Sequence, residues 1–166
     1  IYMTEDMHTQ SAQNAKQYHL TLLVKDETGY KNLMKLITRA WLEGFSSKPC
    51  LDRAALRANV EGLIALSGCH EGEVPSAAAS GDVERAKQLA LEYRDIFGPE
   101  NFYLELQDHP KSEDQTRINT TLLTISQETG IPPVATEDIH YVRREDAPVQ
   151  DVLLCIQHNR KVYEHD

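Results

Sequence analysis

The chain has 166 residues, 40% of them hydrophobic, and a formal net charge of −9. That length suits one domain with a real core, and no apolar run approaches the ~18 residues that a membrane helix needs. The acidic balance argues against this chain gripping nucleic acid by itself, because phosphate binding needs clustered Lys and Arg; short basic stretches such as Arg143-Arg144 and Arg160-Lys161 read as solvated surface.

Residues Ile1 to Met7 carry neither a basic segment nor an apolar run, so no signal peptide is expected. An Ile at position 1 is expected to mark a chain cut from something longer. Cys50, Cys69 and Cys155 are odd in number and widely spaced. They argue against a disulfide framework and for a reducing cytoplasm. Cys50 and Cys155 read as structural.

His19 to Val24 is the first strand expected. A helix follows from Thr28 to Gly44, with Tyr30, Leu33, Met34, Ile37 and Trp41 at helical spacing. Asp52 is an N-cap candidate for a short helix through Val60. Leu63 to Ser67 reads as a buried parallel strand, and residues 68–73 as a turn-rich stretch. Asp82 is expected to cap a helix from Val83 to Phe97, with Val83, Ala86, Ala90, Tyr93 and Phe97 on one face. Phe102 to Gln107 is the third strand. Ser112-Glu113-Asp114-Gln115 spells a capping box, and its helix should bury Ile118, Leu122 and Ile125 and close at Gly130 ahead of Pro132-Pro133. The fourth strand is expected from Val134 to Ile139. Asp146 should cap a last helix from Ala147 to Ile156, and the polar tail from Gln157 to Asp166 should fray.

Strands separated by helices imply right-handed βαβ units and a parallel α/β sheet. Four such units make half of a barrel or most of a doubly wound sheet. No glycine-rich phosphate loop follows any strand, which weakens a nucleotide-binding reading. No internal repeat or low-complexity linker is visible.

Potential metal ligands sit in three segments: His19-Leu20-Thr21-Leu22-Leu23, Leu66-Ser67-Gly68-Cys69 and Ala135-Thr136-Glu137-Asp138-Ile139-His140. Strand ends are where barrels of this kind carry chemistry. Imidazole, thiolate and carboxylate together suit zinc, manganese or iron better than magnesium or calcium. Asp138 and His140 are two apart, which on a strand puts both on one face; a local hydrogen-bonded network accounts for them equally well. Cys69 alone reads more readily as a small buried hydrophobe. His19 begins its strand, the wrong end for such a site, and reads by itself as a capping or core histidine. His109, just past the third strand, is a candidate to orient a ligand or face a substrate.

The segments Tyr18-His19-Leu20-Thr21-Leu22-Leu23-Val24-Lys25-Asp26-Glu27-Thr28-Gly29-Tyr30-Lys31-Asn32-Leu33, Glu61-Gly62-Leu63-Ile64-Ala65-Leu66-Ser67-Gly68-Cys69, Phe102-Tyr103-Leu104-Glu105-Leu106-Gln107-Asp108-His109 and Val134-Ala135-Thr136-Glu137-Asp138-Ile139-His140-Tyr141 resemble the bacterial DNA polymerase III alpha subunits. The likeness lies in their PHP (polymerase and histidinol phosphatase) domain, covers almost the whole chain, and keeps the family's order. It implies a distorted seven-stranded β/α barrel, with metal ligands at positions matching His19, Cys69, Asp138 and His140. It also implies a divalent metal, zinc or manganese, which supports 3'–5' exonuclease proofreading or is structural. Related sites hold two or three metals and cleave phosphoesters, with metal-activated water and a clamped phosphate.

There are departures. The family's His-x-His motif, an Asp, another His and a Glu precede the residues matching Ile1-Tyr2, so this chain alone is expected to hold metal weakly or not at all. Glu137 stands where many relatives have Asn, and His70 where many have Leu. Palm carboxylates are absent, so polymerisation by the chain alone is not expected. The implied partners are DNA, through a full-length polymerase, and other replicase subunits such as a proofreading exonuclease. The alternatives are a stand-alone PHP-type phosphoesterase and a non-catalytic module that docks an exonuclease. The segment Leu22-Leu23-Val24-Lys25-Asp26-Glu27-Thr28-Gly29-Tyr30 favours the polymerase reading.

Overall fold

The computed structural model describes residues 1–8, 16–108, 113–137 and 139–162. It divides into two units, Ile1–Thr136 and Glu137–Asp166. In the first, the elements run β1 (Tyr2–Met3), β2 (Tyr18–His19), β3 (Thr21–Val24), α1 (Glu27–Leu42), β4 (Cys50–Leu51), α2 (Arg53–Arg57), β5 (Leu63–Leu66), α3 (Glu73–Ala79), α4 (Val83–Phe97), β6 (Phe102–Gln107), α5 (Glu113–Thr129) and β7 (Pro133–Thr136).

The strands form a small sheet ordered β2-β1-β4 and a larger one ordered β3-β5-β6-β7. In the larger sheet β5, β6 and β7 run parallel, as strand–helix alternation requires. β3 is different: it runs antiparallel to β5, with Thr21 opposite Leu66 and Val24 opposite Leu63. The all-parallel expectation is corrected there. The connection from β3 to β5 leaves through α1 and returns through β4 and α2, so the chain re-enters the sheet at the end it left. That closure is visible where the Lys25 N–H donates to the Gly62 carbonyl at 2.9 Å.

The single strand expected from His19 to Val24 is two pieces, because its partners change at Leu20. The His19 N–H donates to the Glu71 carbonyl at 3.0 Å, whereas Leu20 exchanges hydrogen bonds with Ile1. The two-residue strands β1 and β4 are too short to leave a periodic pattern. α3 lies just beyond the segment read as turns; Pro75 sits in its first turn, where a missing N–H costs nothing.

α1 starts one residue earlier than expected, with the Asp26 carboxylate accepting from the Gly29 N–H at 2.9 Å. Its inward face is Gly29, Asn32, Leu36 and Ala40. Tyr30, Met34, Ile37 and Trp41, at helical spacing in the sequence, lie on its exposed face, and Trp41 stacks on Phe45. Glycine is needed at position 29 because the first turn of the helix passes within backbone contact of Gly62. Asp52 and Asp82 cap α2 and α4 as expected, accepting from Ala55 and Arg85 at 2.8 and 3.0 Å; α2 is shorter than expected.

The core lies between the larger sheet and α3, α4 and α5. Leu63, Ala65, Phe102 and Leu104 meet Ala86, Leu89, Ala90, Tyr93 and Phe97, and Ile118, Leu122 and Ile125 of α5 are buried as expected. Val83 is exposed, so it is not part of the α4 face that packs inward. Ser112 of the expected capping box lies outside the described residues. Arg53 ties α2 to α3 and α4, pairing with Glu73 at 2.7 Å and Glu92 at 3.1 Å.

The second unit carries a 3-10 turn, Arg144–Asp146, and α6, Ala147–Gln157. α6 forms where expected, but the Asp146 carboxylate accepts from the Arg143 N–H at 3.2 Å instead of capping it. Arg143, Arg144, Arg160 and Lys161 are exposed, as read from the sequence. No helix among the described residues is long and apolar enough to cross a membrane, and no disulfide joins Cys50, Cys69 or Cys155.

Candidate metal centre

The antiparallel direction of β3 decides the geometry. A strand's first residue belongs at the wrong end of a parallel sheet, but β3 is reversed. Its start, Thr21, lies beside Leu66, the carboxyl end of β5. His19, two residues earlier, therefore reaches the end of the sheet at which Cys69 follows β5.

Two glycines make the approach possible. Gly68 has φ +84°, and a Cβ on it would fall 2.8 Å from the His19 carbonyl oxygen. At Gly72 a Cβ would fall 2.2 Å from the Ser67 oxygen. Between them the chain turns tightly, with the Gly72 N–H donating to the Cys69 carbonyl at 2.7 Å. Only glycine suits both positions.

The result is a contact of 3.4 Å between His19 Nδ1 and Cys69 Sγ. Tetrahedral zinc with ordinary Zn–N and Zn–S lengths sets its nitrogen and sulfur ligands about 3.5 Å apart. His19 Nε2 lies 3.0 Å from Glu71 Oε2. Ligand atoms of His19, Cys69 and Glu71 all fall within 4.8 Å of one another, so the three could hold one cation. A second arrangement uses the same contacts. With Nε2–H donating to Glu71, the Nδ1 lone pair is directed toward Cys69, and Glu71 orients the imidazole as carboxylates do at histidine-ligated metals.

Burial pushes the His19 pKa below its ordinary value. Glu71 acts the other way, while Lys48, the terminal amine and His70 add to the lowering. The ring is therefore neutral at pH 7, and its contact with Glu71 is a hydrogen bond more than an ion pair. A neutral ring is the ligating form. Lys16, Tyr18, Lys48, His70 and Glu71 line a cleft of about 400 Å³ in which His19 sits. The Tyr2 ring meets His19 edge-on at 5.0 Å, and Lys48 lies over Tyr2 at 4.3 Å.

Of the expected ligands, His19 and Cys69 are brought together. Asp138 lies outside the described residues, as does His109. His140 is exposed and belongs to the second unit. β7 ends at Thr136, whose partner Gln107 is the last residue of β6. The strand expected to run to Ile139 therefore stops short. Alternation along a strand gives no reason to put Asp138 and His140 on one face.

Two further acidic residues were missed. Glu71 is one polar residue among many in a turn, and nothing in the sequence marks it. Glu105 had a signal: a lone carboxylate within the apolar strand Phe102–Gln107. It is 6% exposed and accepts from Thr21 Oγ1, Gln107 Nε2 and Thr136 Oγ1 at 3.4, 3.2 and 2.7 Å.

Parallel strands with helices between them, and a histidine and a thiol meeting at their carboxyl ends, give a β/α architecture with a candidate metal site. Residues 1–109 match the family described as PHP domain, and the chain belongs to that family. Its relatives include DNA polymerase III subunit alpha of Thermus aquaticus, 46% identical over 140 residues, 84% of this chain and 11% of that protein. The Treponema pallidum subunit alpha is 42% identical over 85% of this chain, and that of Aquifex aeolicus 38% identical over 89%. The chain spans 10–12% of the length of the relatives it matches. The resemblance read from four segments agrees with these matches. Seven strands closing into a barrel go beyond the β1–β7 arrangement, which forms two separate sheets.

Proposed function

We propose that this chain is part of the PHP domain of a bacterial replicative DNA polymerase alpha subunit, and that it contributes His19, Cys69, Asp138 and His140 to a divalent-metal centre. The observation that carries the reading is the 3.4 Å approach of His19 Nδ1 to Cys69 Sγ at the carboxyl end of the sheet. The thiol and the imidazole favour zinc, and a carboxylate among the ligands admits manganese. When bound, such a metal activates water and stabilises charge on a scissile phosphate.

The chain's own residues prepare for that role. Glu71 holds Nε2 of His19 and fixes the ring. Gly68 and Gly72 carry Cys69 to it. Lys16 and Lys48 line the cleft with positive charge, suited to a phosphate oxygen. In the whole polymerase the centre would serve 3'–5' proofreading, with DNA and other replicase subunits as partners.

The test uses a full-length polymerase carrying this segment. His140→Ala should abolish metal-dependent degradation of single-stranded DNA and leave primer extension intact. If it lowers thermal stability and leaves nuclease activity unchanged, the metal is structural. If purified full-length protein holds no metal, the reading fails.

A further inference from the structure

We propose that Glu105 is a positioning residue for the metal centre, tying together the three strand ends that lead to His19, Cys69 and Asp138. The inference rests on the metal-site reading above, but its structural basis is independent of any ligand. The Glu105 carboxylate accepts from Thr21 Oγ1 on β3 and Thr136 Oγ1 on β7. Its backbone N–H donates to Ser67 Oγ, just past β5, at 2.8 Å in a buried bond. Thr21, Ser67 and Thr136 are each two residues from a candidate ligand: His19, Cys69 and Asp138 respectively.

The choice of residue is informative. Glu105 and Gln107 lie on the face of β6 opposite Phe102 and Leu104, which pack into the core. A buried carboxylate is costlier there than leucine unless donors fill its lone pairs. Two hydroxyls and one amide occupy three of its roughly four acceptor sites. Gln107 is itself anchored to α5, its carbonyl accepting from Asn119 Nδ2 at 2.8 Å. The ladder already holds β5, β6 and β7 side by side, so the added side-chain ties act where the ladder stops. They restrain strand ends rather than strands. Ligand groups must be held within a fraction of an ångström to bind a cation well, and residues behind them supply that restraint.

Hydrogen exchange on the metal-free chain tests the tie, comparing wild type with Glu105→Gln, Thr136→Val and, as a mild core truncation elsewhere, Ile96→Val. Glu105→Gln should speed exchange about tenfold at residues 18–21 and 134–136, where the carboxylate makes its ties, relative to Ile96→Val at matched loss of thermal stability. Thr136→Val, which deletes one donor and keeps the carboxylate, should give a smaller change at residues around the same tie. Acceleration spread evenly over α4 and α5, or none at the strand ends, overturns the proposal. Co²⁺ titrated to millimolar concentration into a full-length polymerase carrying this segment then reads the metal separately, through thiolate-to-cobalt absorption that Cys69→Ser removes. Glu105→Gln should weaken cobalt binding at least tenfold and Ile96→Val less than twofold; equal losses in both overturn the positioning role. If wild type gives no such absorption while exchange localises as expected, the metal reading fails and the tie stands.

Discussion

Gly29→Ala sets local propensity against tertiary contact. Gly29 lies in the first turn of α1, and by helix propensity alone alanine should stabilise by up to about 1 kcal/mol. The structure gives the opposite sign. A Cβ at Gly29 would lie 1.8 Å from the Gly62 carbonyl oxygen and 2.4 Å from its carbon. Both are backbone atoms, so no side chain can rotate away. Overpacking of this kind costs about 1–3 kcal/mol, and a backbone collision belongs at the upper end. Subtracting the propensity gain leaves a net loss of about 2 kcal/mol, or roughly 4–8 °C in Tm for a chain of this size. The same carbonyl accepts the Lys25 N–H that closes the β3–β5 pair, so the damage should reach the strand that carries His19 to Cys69. Urea unfolding followed by circular dichroism measures the midpoint, and hydrogen exchange at residues 21–25 reads the local effect. A Gly29→Ala chain with an unchanged or higher midpoint would refute the reasoning.

Elemental analysis of the purified 166-residue chain should find well under one metal per chain after dialysis, because among the described residues the ligating groups that come together are His19, Cys69 and the exposed Glu71, and water must complete the shell; in a full-length polymerase metal should be retained, and Asp138→Ala should weaken that retention. His19, whose pKa is lowered on folding, takes up a proton more readily in the unfolded chain, so it contributes stability that is lost as pH falls below about 6.5. Urea midpoints at pH 7.5 and 5.5 should therefore differ less in His19→Gln than in wild type, and an identical pH dependence counts against this. Tyr93 is buried and its hydroxyl donates to Glu73 at 2.8 Å, which raises its pKa above the ordinary value near 10; ultraviolet titration should find one tyrosine that ionises only as the chain unfolds at alkaline pH. The isolated chain should neither extend primers nor degrade single-stranded DNA, and primer extension by it would overturn the assignment.

Much of the fold is local and was legible. Asp52 and Asp82 are caps because a short carboxylate reaches the N–H three residues on, whatever surrounds it. Phe102–Gln107 is a strand end to end, and Ile118, Leu122 and Ile125 face inward because their spacing allows no other shared face. The likeness to alpha subunits was likewise written in four contiguous segments. What the sequence could not reveal depends on contacts between distant residues. The reversal of β3 follows from where the chain re-enters the sheet at Gly62, and that reversal moves His19 from the wrong end to the right one. α1 turns Gly29, Asn32, Leu36 and Ala40 inward and leaves Trp41 and Met34 outside, and the need for glycine at 29 comes from Gly62 lying against the first turn, which the helix's own periodicity does not show. β7 stops at Thr136 because β6 runs out of partners at Gln107. Glu71 and Glu105 acquire their roles only from what surrounds them, one beside His19 and the other among three strand ends. Local pattern determined the elements and the candidate ligands; strand direction and close backbone approach, which no window of sequence contains, decided which ligands meet.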